Sequence, residues 1–261
     1  MSIPSPLEAQ TRFLDGIYRP RTTKLSLPFD NLDNGLRVLN EEAECDRYIT
    51  LYGAHHFHKL YAAFASTNFQ YTGGKTIEII DWGCGQALAT CVLIDYLIEK
   101  RISPDIVSIT LIEPSSLALW RGYSFVRQML QPTLSSNFII RTVNKYIDNL
   151  DCSDFISTPS NIKIHLFSNI IDVKSFDLNK LYKLIINCFY GVNRIICISP
   201  YQSTVNPRVD DFYKLFCDRH QVKYPVHSDE AIYQDIFNVI TGKFELWRIE
   251  RYERQFTVHL L

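Results

Sequence analysis

The chain predicts an α/β fold: a doubly wound, mostly parallel seven-stranded sheet with an antiparallel C-terminal edge, preceded by an N-terminal helical extension. Three observations lead there. From Thr76 onward, strand-like and helix-like segments alternate, as they do where parallel strands are joined by helical crossovers. The run Phe244 to Val258 alternates around Glu250 to Arg254 instead of keeping a helical period, which suits two antiparallel strands closing a sheet edge. Ahead of Thr76, aromatic and apolar residues recur at helical spacing.

Residues 1 to 40 are punctuated by Pro4, Pro6, Pro20, Pro28 and Gly35 and keep no period, so they read as an extended arm with turns. Between Glu41 and Phe69, the spacing of Tyr48, Leu51, Tyr52, Phe57, Leu60, Tyr61 and Phe64 predicts one or two helices, with Gly53 the natural break and Thr72-Gly73-Gly74 a turn. Residues 1–75 are thus an arm and helical cap, and residues 76–261 the α/β domain. Within that domain Ile77 to Ile80 is the first strand. Leu88 to Lys100 carries Leu88, Val92, Leu93, Tyr96 and Leu97 on one helical face and stops at Ser103-Pro104. Ile106 to Ile112 is the second strand, Ser115 to Leu130 a helix closed by Pro132, and Phe138 to Val143 the third strand. Ile162 to Ser168 and Arg194 to Ser199 supply the fourth and fifth. Helices at Asp177 to Cys188 and Arg208 to Arg219 separate the later elements, while Asp148 to Ser160 is mainly loop.

Composition narrows the function. With 261 residues, 46% of them hydrophobic, the chain can bury a sizeable core. Its 27 basic and 28 acidic residues nearly cancel, so no global field attracts nucleic acid. No stretch approaches the ~20 apolar residues needed to span a bilayer, and the N-terminus lacks the basic and apolar regions of a secretory signal. Cys45, Cys84, Cys91, Cys152, Cys188, Cys197 and Cys217 form no CxxC pair, and most lie in apolar runs where a reduced thiol packs. A cytoplasmic protein follows as the expectation.

Chemistry concentrates where the first strand ends. Asp81-Trp82-Gly83-Cys84-Gly85-Gln86-Ala87 runs from a strand through Gly-x-Gly into a helix, a turn that leaves backbone N–H groups facing a ligand with no Cβ in the way. A dinucleotide fingerprint would need a third glycine where Leu88 stands. The segment instead resembles motif I of the class I, Rossmann-like S-adenosylmethionine-dependent methyltransferases, with Ala87 as the last small residue. In that family the next strand ends in an acid that accepts from the ribose hydroxyls, and here Ile109-Thr110-Leu111-Ile112-Glu113-Pro114 ends in Glu113. The resemblance therefore implies S-adenosyl-L-methionine as cofactor, held by Asp81, Gly83, Cys84, Gly85, Gln86, Glu113 and Pro114. It sets Val143 and Asn144, with Lys145 beside them, along the adenine. It also puts Ser168 next to the cofactor and makes Ser168 and Asn169 the candidates to face a methyl acceptor. The element before the first strand often walls the methionine end in this family, which implicates Tyr52-Gly53-Ala54-His55 and Lys59.

Base-methylating members of the fold carry an Asn or Asp, two prolines and an aromatic at the end of the fourth strand; this chain has Ser168-Asn169-Ile170-Ile171. Two functions fit this pattern. One is a methyltransferase acting on a small molecule, protein or RNA, in which holding the nucleophile in line supplies much of the acceleration. The other is a non-catalytic, methyltransferase-like binding or scaffold module.

The remaining polar clusters read as structural. His55, His56 and His58 have no cysteine or acid close by to complete a metal site, so they are expected to border the pocket or pack. Arg19, Arg21 and Lys24 lie beside Tyr18 on the arm, where they are expected to be solvated, the other reading being a grip on a phosphate backbone or an acidic substrate. Asp148, Asp151 and Asp154 read as turn chemistry.

Overall fold

The structure, a computed structural model, describes residues 11–22, 32–67, 69, 75–102, 105–130, 138–200, 206–238 and 241–261. Lys24, the Thr72-Gly73-Gly74 turn, and the helix stops at Ser103-Pro104 and Pro132 lie outside them. Seven strands form one sheet: β1 (Ile77–Trp82), β2 (Ile106–Ile112), β3 (Ile139–Val143), β4 (Ile162–Ser168), β5 (Gly191–Ser199), β6 (Val222–Asn238) and β7 (Lys243–Leu260). Their order is β3-β2-β1-β4-β5-β7-β6. The first five pair in parallel, while β7 runs antiparallel to β5 and β6 antiparallel to β7. This is the doubly wound sheet with an antiparallel C-terminal edge that the sequence predicts.

The helices are α1 (Glu42–Ser66), α2 (Leu88–Glu99), α3 (Ser116–Leu130), α4 (Leu178–Cys188) and α5 (Asn206–Cys217). Strand alternation divides the core between the two sheet faces. Ile77, Ile79, Ile109, Leu111, Ile164 and Leu166 pack beneath α1, α2 and α3. Ile80, Trp82, Ile112 and Phe167 pack against α4 and α5 on the other face. Among the described residues, no helix is long and apolar enough to cross a membrane.

Four expectations need correction. The C-terminal run is one strand, β7, and its partner β6 comes from a segment with no apolar alternation. The charges of Glu250 to Arg254 do not mark a turn, because tertiary partners neutralise them: Arg254 pairs with Asp210 and Asp229, each at 2.7 Å, and Arg251 with Glu230 at 2.6 Å. Helix α1 runs unbroken through Gly53, where an added Cβ would stand 2.8 Å from the Tyr18 ring, so the glycine makes room for the arm. The arm carries helical turns at Phe13–Tyr18, Arg19–Arg21 and Leu32–Gly35, the first of them because Phe13, Ile17 and Tyr18 are buried and Phe13 stacks on Phe57 at 5.7 Å. Arg19 pairs with Asp15, and Arg21 lies over the Phe125 ring. Finally, Cys152 and Cys188 form a disulfide, because the loop after β3 lies beside the end of α4 with a Cα–Cα distance of 5.2 Å; the other five cysteines are free.

Candidate functional site

The sheet reverses its order at β1, which has β2 on one side and β4 on the other, and a crevice opens beyond the strand ends at such a point. Here it is a cavity of about 420 Å³. Its floor is Gly83, Gly85, Ile112, Glu113, Pro114, Ser168 and Asn169. Tyr48 of α1 closes one side, Lys145 to Asn149 another, and Gly35 to Leu39 form a further wall.

The floor is built by two left-handed glycines. Gly83 has φ +59° and no room for a side chain, since a Cβ would lie 2.6 Å from Ile170 Cδ1. Gly85 has φ +52°, but the space a Cβ would take is open, so its backbone is bare toward the cavity. Ala87 is also left-handed, at φ +58°, and serves as the N-cap residue of α2. Gly122 of α3 lies against this turn; a Cβ there would meet Ala87 Cβ and Gln86 C at 2.9 Å. The small residues at 87 and 122 thus let α3 approach the loop, a pairing across 35 positions that no local pattern announces.

Glu113 joins the two strand ends. Its Oε2 accepts from the Gly85 N–H at 3.0 Å and its Oε1 from the Ser115 N–H at 2.9 Å. Burial nevertheless raises its pKa, these two bonds opposing the shift. A carboxylate at the cavity floor beside a bare N–H turn can accept from vicinal hydroxyls of a ligand. It is also already engaged in the fold through these two backbone bonds.

The other expected residues separate into lining and supporting groups. Gly83, Gly85, Glu113, Pro114, Ser168 and Asn169 come together around the cavity. Asp81 does not line it: its Oδ2 accepts from Thr90 N at 3.2 Å and Thr90 Oγ1 at 2.7 Å, tying β1 to the first turn of α2. It is fully buried, and desolvation pushes its pKa up to about 7. Cys84 is buried and donates its N–H to Ile112 O at 2.8 Å, while Gln86 reaches away to Cys45 O at 2.9 Å. Both are therefore supports behind the floor. Val143 is buried and accepts from Glu113 N; Asn144 Nδ2 donates to the carbonyls of Glu113 and Pro114 at 2.9 and 2.8 Å. Asn144 thus braces the acid, and the wall beyond β3 is supplied by Lys145 to Asn149. Lys145 is held by Asp154 at 2.7 Å and Asp151 at 3.8 Å, so the three aspartates assigned to turn chemistry also fix this wall, Asp148 lining it directly.

Three residues of α1 missed or only partly seen in the sequence complete the site. Tyr48, Tyr52 and His56 lie at four-residue spacing, with ring centroids 5.1 Å apart for the first pair and 5.9 Å for the second. His56 Nε2 stands 3.0 Å from Asn169 Nδ2, and Lys59 Nζ donates to Asn169 Oδ1. The three histidines part company: His55 packs on Trp247 at 4.6 Å and His58 meets Phe57 edge-on at 5.1 Å. Burial, then the Lys59 charge, holds the His56 pKa well below the usual value.

No protein-family model and no curated protein matches the chain. Among solved structures it is similar to the plantazolicin methyltransferase BpumL in complex with SAH, at TM-score 0.46 and 12% identity over 84% of this chain and 88% of that one. It is also similar to the tRNA (m1A58) methyltransferase TrmI from Aquifex aeolicus (0.43, 10%, 78% and 69%). A third is the precorrin-6y C5,15-methyltransferase from Geobacter metallireducens GS-15 (0.42, 13%, 77% and 87%). These are similarities of fold, and the reading of the site rests on its own geometry.

Proposed function

We propose that this chain is an S-adenosylmethionine-dependent methyltransferase acting on a small-molecule, protein or RNA acceptor. The observation that carries this reading is the meeting of Glu113 with the bare Gly85 turn on the floor of a cavity at the point where the sheet reverses. A nucleoside fits the residues there. The open space over Gly85 admits a ligand against backbone, Glu113 offers a carboxylate to ribose hydroxyls, and Ile147 and Pro114 supply apolar walls. When bound, the cofactor supplies an electrophilic methyl group on a cationic sulfur.

The chain's own contribution is positioning. Ser168 and Asn169 face the cavity at the end of β4, and the Asn169 amide is held from behind by α1. Asn169 takes a left-handed φ of +53°, which turns the chain sharply after β4. A fixed amide can donate to or accept from the nucleophile of an acceptor and hold it in line, and it needs no change of charge to do so. Calorimetry with S-adenosylmethionine and with S-adenosylhomocysteine tests the cofactor assignment, with micromolar binding expected, roughly −7 to −9 kcal/mol. Absence of heat and of any thermal shift at millimolar ligand would overturn it. Incubation with methyl-labelled cofactor and fractions of cell extract, separated into RNA, protein and small molecules, then reads turnover and distinguishes an enzyme from a binding module.

A further inference from the structure

The segment between β3 and β4 supplies one wall of the cavity, from Lys145 to Asn149, and then makes a helical turn at Cys152–Asp154. Ile147 and Phe155 anchor its two ends in the core. Its internal bonds, Lys145 to Asp154 and Ser153 N–H to Asp151, give it a shape without fixing where it stands. Among the described residues, its polar ties to other elements are two. Arg141 of β3 donates to Ser153 O at 2.9 Å, and the Asp177 N–H, just ahead of α4, donates to Asp148 Oδ1 at 3.2 Å. Both bonds are exposed, so water competes for each of them. The remaining tie is covalent, since Cys152 is joined to Cys188, the last residue of α4. Packing does not replace it. A groove of about 350 Å³ separates loop from helix, with Asp148, Asp151 and Cys152 on one side and Lys180, Lys183 and Asn187 on the other. The seam is left unfilled by side chains, so burial contributes little to holding it closed.

The bond is also within reach of solvent. Cys152 is exposed and Cys188 half-buried, whereas Cys45, Cys84, Cys91 and Cys197 are buried. Disulfides that a thiolate can reach are the labile ones. From a reachable bond that clamps a lightly held wall of the cavity, we propose that Cys152–Cys188 is a reversible thiol–disulfide exchange site that sets the affinity of the cavity for its nucleoside. The co-reactant is a dithiol. One of its thiolates attacks the Cys152 sulfur and Cys188 leaves as a thiolate; the second thiolate then displaces Cys152. The pair gains two electrons and two protons while the dithiol becomes a disulfide. In the oxidised protein the wall from Lys145 to Asn149 stands against the ligand. In the reduced protein the loop parts from α4, and the apparent affinity falls with the fraction of molecules that keep the wall in place. The ligand in this inference rests on the methyltransferase reading; the movement of the loop does not.

The test measures S-adenosylhomocysteine affinity by calorimetry on the oxidised protein, after reduction with dithiothreitol and after reoxidation, with Cys188→Ser as a form that cannot close. Amide hydrogen exchange of residues 145–155 is followed by mass spectrometry in the same states, with β1 as the control for global folding. Reduction should weaken S-adenosylhomocysteine roughly fivefold or more, and reoxidation should restore it. Cys188→Ser should bind weakly whether or not dithiothreitol is present. Exchange at 145–155 should speed up on reduction while β1 stays protected. Equal affinity in the oxidised and reduced wild-type protein overturns the proposal, and so does a loss of protection that extends to β1, because the bond would then staple the whole fold. A pair that remains two thiols in oxidised dithiothreitol overturns it as well. Reduction is carried out on the wild-type chain, so a misfolded variant does not shelter the idea. If the wild-type protein binds no S-adenosylhomocysteine in either state, the methyltransferase reading fails, and exchange at 145–155 still decides whether the disulfide holds the loop.

Discussion

Replacing Glu113 with alanine should damage both the fold and the site, and by different amounts. In the free protein the carboxylate satisfies two backbone donors, Gly85 N–H and Ser115 N–H. Leaving each without an acceptor costs about 1 to 1.5 kcal/mol in a site partly open to water. Against this, burial has raised the pKa of the acid despite those two bonds, so removing the charge relieves part of that loss. The net loss is about 1 to 2 kcal/mol, or a fall in melting temperature of roughly 3 to 6 °C for a chain of this size. Ligand affinity should suffer more. Two charge-assisted bonds to ribose hydroxyls contribute about 1.5 to 3 kcal/mol each, so S-adenosylhomocysteine should bind more than tenfold more weakly. Calorimetry and thermal melting on the same variant measure both numbers. Glu113→Gln keeps an acceptor oxygen for one donor and should recover part of the stability but little of the affinity. A destabilised alanine variant with wild-type affinity would refute the reasoning, because Glu113 would then serve only to brace the turn and the start of α3.

The other expectations concern the floor and its supports. Gly85→Val should abolish nucleoside binding in a protein that still folds, since the side chain enters the open space above the turn and φ of +52° adds about 1 to 2 kcal/mol of backbone strain; retained affinity would show that the loop is only a turn. Gly122→Ala should lower stability in urea by about 1 to 3 kcal/mol, because the new methyl meets Ala87 and the backbone of Gln86, which cannot step aside; an unchanged midpoint would mean that α3 is not held against the loop. Asp81 gives a pH dependence. Its folded pKa is raised to about 7 from an ordinary value near 4, so its contribution to stability is fully present below the lower value and is lost as pH rises through about 7. Asp81→Asn should therefore gain on wild type between about pH 4 and pH 7, by roughly 1.4 kcal/mol per pH unit at most, and a difference in unfolding free energy that stays flat across that window would contradict the burial of this charge.

Much of the architecture was legible because parallel strands buried on both faces must be apolar throughout and their crossovers must be amphipathic. The runs at 77–82, 106–112 and 162–168 therefore declare themselves, and the glycines at 83 and 85 mark the turn between β1 and α2. The acid at 113 could be placed as well, since it closes a run that can only be a central strand. What only the tertiary structure decided is how distant segments neutralise one another. Strand β6 has little burial of its own and exists because β7 pairs with it. The charged stretch 250–254 can continue as a strand because Asp210, Asp229 and Glu230 arrive from elsewhere in the chain. Cys152 and Cys188 meet across a separation of 36 residues, and Gly122 is small because Ala87 lies against it. The site divides in the same way. Local sequence dictates a bare backbone turn, because only residues without bulky side chains can make one. The amide of Asn169, by contrast, is aimed by Lys59 and His56 from a helix more than a hundred positions away, and contacts of that range leave no periodic trace in the sequence.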